Sequence, residues 1–411
     1  MKIAVIGVKG LPANQGGIEH YCQVLYPKVV ARGHEVDLYA RSSYVNKPWF
    51  SIYQCQGVRI ICLPSLAFRG LDALTSSGLA AVVATLKGYD VVHFHALGPS
   101  LFSFIPRLFS SAKIITTCQG LDWKRGKWGK LSSNLILLGE KMAAKYAHHV
   151  IVVSQALKNY FKKTYDVDTA YIPNGPGIYA ESDPNFSFVK SLGLETGKYL
   201  LFLGRLVPEK RPELLIEAFQ RLEQPDWKLV LAGGNSDTTD YITQLLNISS
   251  QNSNIIFAGE LKGRYLSEMV RGAGMFVLPS DLEGLPLAML EAMREGIPIL
   301  ASDIPPHKQL IVGDSALGAT ARRGLLFNTG CIKSCAEAIN QAINQPEKLA
   351  EMGKKAQEHV KANYNWEKIT TDNLSVYAQD FELDPEEEVS NSSNSTLVST
   401  KVSTKETVSQ P

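Results

Sequence analysis

Met1-Lys-Ile-Ala-Val-Ile-Gly7-Val-Lys-Gly10-Leu-Pro-Ala-Asn-Gln-Gly16-Gly17-Ile18-Glu19 opens the chain: a short apolar run, a glycine-bearing loop, then a helical pattern. The same order recurs. Apolar runs at 3–8, 36–40, 58–63, 91–95, 113–117, 150–153 and 170–172 alternate with helical patterns at 18–32, 73–87, 101–109, 132–146 and 155–165. Runs of Val and Ile without polar alternation suit strands covered on both faces. Strands alternating with helices imply parallel pairing in a doubly wound sheet.

Pro173-Asn174-Gly175-Pro176-Gly177 interrupts this rhythm with dense turn chemistry, and the chain stays polar to Gly197. The alternation then restarts, with strands expected at 199–203, 228–232, 255–258, 275–278, 299–301 and 325–327, and helices at 213–222, 240–250, 265–273, 287–295 and 335–345. Two closing helices are expected at 348–363 and 366–381. The expectation is an α/β protein of two Rossmann-like doubly wound domains facing a cleft, residues 1–180 and 190–365, with a disordered tail at 383–411. That tail turns acidic and then rich in Ser, Thr and Asn, with little apolar content to offset the cost of ordering. Ligands of such sheets bind beyond the carboxyl ends of the strands, so the cleft is the expected site.

A length of 411 residues suits two domains plus a tail. A net charge of +2 gives no whole-chain argument for nucleic acid. The six cysteines show no C-x-x-C spacing; Cys331 and Cys335 read as two turns of one helix and most others as small core residues. A reducing cytosol is the expected compartment. The opening apolar run is too short for a signal peptide, and the apolar run 79–86, interrupted only by Thr85, falls far below a membrane span.

Three motifs carry chemistry. Gly16-Gly17 at a helix start lets backbone N–H groups approach a phosphate, or simply makes a tight turn; the spacing is not that of the dinucleotide fingerprint, which disfavours an NAD-linked oxidoreductase. Gly204-Arg205-Leu-Val-Pro-Glu209-Lys210-Arg211 follows a strand, so Arg205 and Lys210 can reach a diphosphate, against the plainer reading of a solvated basic loop. Pro279-Ser280-Asp281-Leu-Glu283-Gly284-Leu285-Pro286 and Glu291 pass from strand to helix. Gly284 and Leu285 offer N–H groups at a positive helix end, and the two carboxylates can accept from sugar and ribose hydroxyls. Each Glu singly could be a dipole partner or a helix-face charge. Asp281 and Glu283 superficially resemble a metal pair, but the metal-free reading is preferred.

Gly204-Arg205…Glu209-Lys210 and Glu283-x₇-Glu291 resemble the GT4 family of GT-B glycosyltransferases, with Val91-Val-His93-Phe-His95, Val152-Val-Ser154 and Ile172-Pro-Asn174-Gly175 fitting the same pattern, over residues 1 to about 381. Gly-Gly-Ile-Glu19 and Gly120-Leu-Asp122-Trp123-Lys124-Arg125-x-Lys127-Trp128-Gly129 look more narrowly like its rhamnosyltransferase-like bacterial subgroup. The resemblance implies a GT-B fold in which the last helix, 366–381, crosses back to complete the first domain. It implies a retaining, metal-independent hexosyl transfer with no cofactor, from a nucleotide-sugar donor of unspecified base to a glycan or lipid-linked acceptor, in cell-surface polysaccharide synthesis.

Carried over by position, Arg205 and Lys210 hold the donor diphosphate and stabilise charge on the leaving group. Glu283, assisted by the N–H groups of Gly284 and Leu285, contacts the donor sugar; Glu291 binds the ribose; Glu260 and Leu261 border the base; Gly16 and Gly17 lie on the phosphate side. The acceptor proton passes to the leaving phosphate. Gln119 in Thr116-Thr117-Cys118-Gln119-Gly120 departs from the family's His and cannot titrate.

Asp122, Trp123, Lys124 and Arg125 form a basic, aromatic acceptor-side loop that suits an anionic lipid-linked acceptor or the inner face of a membrane, or is a solvated loop anchored by its Trp residues. His93 and His95 share a strand face; packing or hydrogen bonding is preferred to a metal pair that lacks a third ligand. Two readings compete with transfer: a nucleotide-sugar epimerase, and a non-catalytic nucleotide-sugar binder suggested by Gln119.

Overall fold

The computed structural model describes residues 1–13, 16–66, 71–125, 128–222, 226–234, 239–313 and 322–378. The expected tail at 383–411, the end of the last helix beyond 378, and Lys127 lie outside the described residues.

Eight strands form the first sheet: β1 (Lys2–Ile6), β2 (Glu35–Arg41), β3 (Ile52–Cys55), β4 (Val58–Leu63), β5 (Val91–His95), β6 (Lys113–Cys118), β7 (His149–Val152) and β8 (Ala170–Tyr171), in the order β3-β4-β2-β1-β5-β6-β7-β8. All neighbours are parallel except β3 and β4. The second sheet holds β9 (Tyr199–Leu203), β10 (Lys228–Ala232), β11 (Ile255–Gly259), β12 (Met275–Leu278), β13 (Ile299–Ser302) and β14 (Leu325–Phe327), all parallel, in the order β11-β10-β9-β12-β13-β14. The cause is legible in the residues: Leu200, Leu201, Phe202, Leu229, Val230, Phe276 and Val277 are all fully buried, as strands with both faces covered require.

Each sheet reverses its winding direction at one point. β1 lies between β2 and β5, and β9 lies between β10 and β12. At such a point adjacent loops leave the sheet to opposite sides and open a crevice. β9 and β12 are directly paired, Leu201 opposite Phe276, so the loop after β9 and the loop after β12 emerge side by side. That pairing brings Arg205 and Glu283 to one place although 78 positions separate them (283 minus 205).

The structure differs from expectation at several elements. Helical pattern 101–109 is broken at Ser103 into a 3-10 turn, Pro99–Phe102, and a helix, Phe104–Phe109. β3 was not anticipated, because its residues alternate in exposure and present no apolar run; Gln56 and Gly57, with φ of 51° and 84°, turn it tightly into β4. Helices Ser187–Ser191 and Pro305–Ile311 are additional. Cys331 is not inside a helix with Cys335 but caps helix Ile332–Ile343, its Sγ accepting from the Ser334 N–H at 3.4 Å. β1 ends at Ile6 rather than at residue 8: Gly7 has φ 100°, and a Cβ there would stand 2.3 Å from the His95 carbonyl oxygen.

Helix Trp366–Ala378 leaves the second sheet's side of the molecule and packs on helix Gly17–Ala31. Arg32 pairs with Glu367 at 2.9 Å, Asn373 Nδ2 donates to the Tyr21 hydroxyl at 3.1 Å, and Lys113 Nζ donates to the Tyr377 carbonyl at 2.8 Å. The chain's last described helix therefore completes the first lobe. Among the described residues no helix is long and apolar enough to cross a membrane.

Candidate active site

The loop after β9 runs Gly204, Arg205, two buried residues Leu206 and Val207, a 3-10 turn Pro208–Lys210, and Arg211 in the left-handed region at φ 54° before helix Pro212–Phe219. The buried pair pins the loop to the core and leaves the basic side chains at the sheet's carboxyl edge. The loop after β12 is tied to it by a backbone bond, Asp281 N–H to Glu209 O at 2.9 Å. Lys210 Nζ then donates to Glu283 Oε1 at 2.7 Å, and Ser280 Oγ donates to the same oxygen at 2.9 Å.

Burial pushes the Glu283 carboxyl up, but the Lys210 charge and hydrogen bond, with His307 and Ser280 adding to them, outweigh it and leave the group below its ordinary value. Glu283 is therefore held as a carboxylate. Asp281 is drawn to Arg211, 3.6 Å away, so Asp281 and Glu283 face different cations and do not act as a pair. Among the described residues no three His, Cys, Asp or Glu side chains gather as a metal ion would need.

The support behind Glu283 was not foreseen. Ser302 Oγ donates to the Ser280 carbonyl at 2.5 Å, and His307 Nδ1 lies 2.9 Å from the Ser302 carbonyl, which can only accept. Burial lowers His307 to about 4, so the ring is neutral with its proton on Nδ1. No local motif marks this chain of groups; Ser280, Ser302 and His307 meet only because β12 and β13 are neighbours.

Glu291, on helix Leu287–Arg294, is not joined to this cluster. Its Oε1 accepts from the Gly177 N–H at 3.2 Å and its Oε2 from the Tyr179 hydroxyl at 2.9 Å. Burial raises the Glu291 carboxyl, partly opposed by those two bonds and Arg294. Three of the four charged residues singled out by sequence thus meet directly or as neighbours, while the fourth is anchored on the segment between the two sheets. A Cβ on Gly177 would stand 2.8 Å from Glu291 Oε1, so a side chain here would push that carboxylate aside.

Glu260 and Leu261 follow β11 at the same carboxyl edge, two strands from β9; Glu260 pairs with Lys262 at 3.2 Å. Gly16 and Gly17 open the first helix as expected, but the carboxylate of Glu19 folds over that end. A Cβ on Gly16 would meet Glu19 Oε2 at 2.1 Å, and the Lys9 N–H donates to Oε1 at 3.2 Å. A phosphate would have to share this helix end with a carboxylate.

From the first lobe, Gln119 and Gly120 reach across to Gly284. A Cβ on Gly284 would stand 2.0 Å from the Gln119 carbonyl oxygen and 3.0 Å from Gly120 Cα, so the two lobes touch backbone to backbone here. The Gln119 side chain is held by Asn174, whose Nδ2 donates to Oε1 at 2.6 Å. Leu285, half of the expected N–H pair, is buried beside this seam. Asp122–Lys124 form a 3-10 turn; Trp123 Nε1 donates to Glu140 Oε2 at 2.9 Å, Lys124 Nζ lies 5.2 Å from the Trp123 ring, and Arg125 Nε pairs with Asp122 at 2.9 Å. His93 and His95 are fully buried and bonded to Tyr26, Tyr377 and Thr117, as the packing reading has it.

Comparison with known proteins identifies the family. Residues 185–359 match the family described as Glycosyl transferases group 1, and residues 15–176 match Glycosyltransferase Family 4. The D-inositol 3-phosphate glycosyltransferase of Gordonia bronchialis is 25% identical over 92% of this chain and 88% of its own. Among solved structures, sucrose-phosphate synthase from Thermosynechococcus elongatus superposes with a TM-score of 0.78 at 23% identity, covering 92% of this chain and 98% of that one. Anabaena HepE, solved with UDP and glucose, superposes at 0.73 with 19% identity, covering 92% of this chain and all of that one (100%). At these identities the structural likeness speaks to the fold.

Proposed function

This chain is a GT4-type glycosyltransferase of GT-B fold, and from that premise we propose that it moves a sugar from a nucleotide-sugar donor to a glycan or lipid-linked acceptor, with retention and without a metal ion, in the building of a cell-surface polysaccharide. The observation that carries the proposal is the Lys210–Glu283 pair beside Arg205, at the paired ends of β9 and β12 and next to Gly284, which meets Gly120 across the seam. In this reading Arg205 and Lys210 take the diphosphate and neutralise the charge that grows on it as the sugar leaves. Glu283, fixed by Ser280 from behind, accepts from the donor sugar's hydroxyls, and the Gly284 and Leu285 N–H groups add donors at the helix start. Glu291 accepts from the ribose: its two oxygens each keep a lone pair beyond those used by Gly177 and Tyr179. Glu260 and Leu261 border the base.

We assign residues 1–180 with the helix from 366 to the acceptor side and 190–365 to the donor side. The finer rhamnosyltransferase-like placement rests on Gly16-Gly17-Ile18-Glu19 and residues 120–129, whereas the relative described above carries an inositol-phosphate name. Gln119 acts in this scheme by hydrogen bonding and backbone position. A screen of nucleotide sugars by thermal shift, followed by product analysis with the hit, tests the proposal: transfer with a retained anomeric configuration supports it. Epimerisation of the donor without any acceptor, or binding with neither transfer nor hydrolysis, overturns it.

A further inference from the structure

The turn that presents Arg125 is built more firmly than a solvated loop requires. Trp123 hangs on Glu140, which is completely buried, and the hydroxyls of Tyr160 and Tyr165 donate to that carboxylate's other oxygen at 2.7 and 2.6 Å. A buried carboxylate with three donors is costly to assemble and, once satisfied, rigidifies what is attached to it. Attached to it is a guanidinium. Arg125 spends its Nε on Asp122, and neither Nη group has a hydrogen-bond partner among the described residues. The Nη2 end lies at the lobe seam: a Cβ placed on Gly120 would be 3.8 Å from Arg125 Nη2 and 3.5 Å from Gly284 Cα.

Arg205 stands on the other side of that seam, and it makes no side-chain hydrogen bond or ion pair among the described residues. The two cations sense one another. Burial holds the Arg205 guanidinium below its ordinary value, repulsion from Arg125 adds to that, and Glu209, Glu283 and Asp122 oppose it. Arg125 is raised, first by Asp122 and then by Glu283 and Glu209, against its burial. Asp122 balances the charge in direct contact with Arg125, and Glu209 and Glu283 do so without contact, while nearly all the N–H donors of both forks stay unused. Planar forks of that kind match the paired oxygens of a phosphate.

We propose that Arg125 and Arg205 form a phosphate clamp across the cleft, one guanidinium from each lobe, closing on the oxygens of a single phosphate group. The clamp rests on the placement of Arg205 at the donor diphosphate and adds a first-lobe residue to it. The phosphate comes either from the leaving diphosphate or from a phosphate carried by the acceptor. In both cases occupancy of the clamp draws the lobes together, because its halves ride on different sheets.

Inorganic pyrophosphate stands for the first source and inorganic phosphate for the second. Both are titrated calorimetrically into the full chain and into Arg125→Met, Arg125→Lys and Arg205→Met, with phosphate measured also in the presence of saturating pyrophosphate. A tenfold or greater loss of pyrophosphate affinity in Arg125→Met, partly restored in Arg125→Lys, supports the clamp on the donor. Unchanged pyrophosphate binding with tenfold weaker binding of phosphate to the pyrophosphate-loaded chain supports it on the acceptor. Binding of both anions by Arg125→Met within twofold of the unaltered chain overturns the clamp, and so does binding of neither anion by the unaltered chain. Loss confined to Arg205→Met removes the clamp and leaves the donor-site reading standing; no loss in any variant removes both.

Discussion

Gly284→Ala adds a single methyl group to the point where the lobes meet. The new Cβ would stand 2.0 Å from the Gln119 carbonyl oxygen, and ordinary contact begins near 3.4 Å, so the lobes must part by about 1.4 Å at the seam. Gly284 is not among the positive-φ residues, so the substitution imposes no backbone strain of its own. One buried cluster runs from the first lobe (Cys118, Val152, Leu157) into the second (Leu285, Leu290), so parting the lobes also loosens apolar contacts and Tm should fall modestly. The cost falls on alignment: a displacement of about 1 Å between reacting groups is worth roughly 100-fold in rate, or about 2.7 kcal/mol of transition-state stabilisation. Steady-state transfer with the donor that supports turnover should show kcat/KM down by about two orders of magnitude. Gly98→Ala serves as control, since a Cβ there meets nothing nearer than 3.9 Å. If Gly284→Ala turns over within threefold of the unaltered chain while keeping its fold, the seam is not part of the reactive arrangement.

Lys210→Met leaves the Glu283 carboxylate largely enclosed and without its cation; stability should fall by about 2 kcal/mol in urea unfolding and kcat/KM by roughly 100-fold or more. Glu283→Gln keeps the shape but loses the charge, and its main effect should be on kcat; a near-normal kcat would contradict contact with the donor sugar. EDTA should leave transfer unchanged, whereas loss that Mn²⁺ restores would contradict the metal-free scheme. His307 titrates near its ordinary 6.5 in the unfolded chain but near 4 when folded. Between those values the unfolded chain binds more protons, so stability falls as pH drops from about 6.5 to about 4, by ~3 kcal/mol from this group. His307→Gln should flatten the Tm–pH curve in that window; an unchanged slope contradicts the buried neutral ring.

Strands covered on both faces announce themselves as predominantly apolar runs, and 91–95, 199–203, 228–232, 275–278 and 325–327 were readable to the residue for that reason, His93, His95 and Lys228 notwithstanding. β3 was hidden because an exposed edge strand alternates. Pro305-Pro306 carried a helix-start signal that reads equally as a turn. Arg205 and Glu283 were legible because each follows a strand directly, and strand ends are where open sheets place ligands. Glu140, Tyr179 and His307 were not, since each gains its meaning from partners that only the tertiary fold supplies: Tyr165 lies 25 positions from Glu140, and Tyr179 lies 112 from Glu291.

Helix Trp366–Ala378 has a consequence for biogenesis. Tyr377 reaches the buried His93 at 2.7 Å across 284 positions, and Trp366 fits against Gly175, where any side chain would collide with its ring. As the nascent polypeptide leaves the ribosome, its amino-terminal half therefore waits, with Tyr21 and Tyr26 uncovered, until the helix from Trp366 has been translated. Premature termination ahead of Trp366 should thus injure the half already made, exposing it to proteases, while the later-synthesised half keeps every strand it needs.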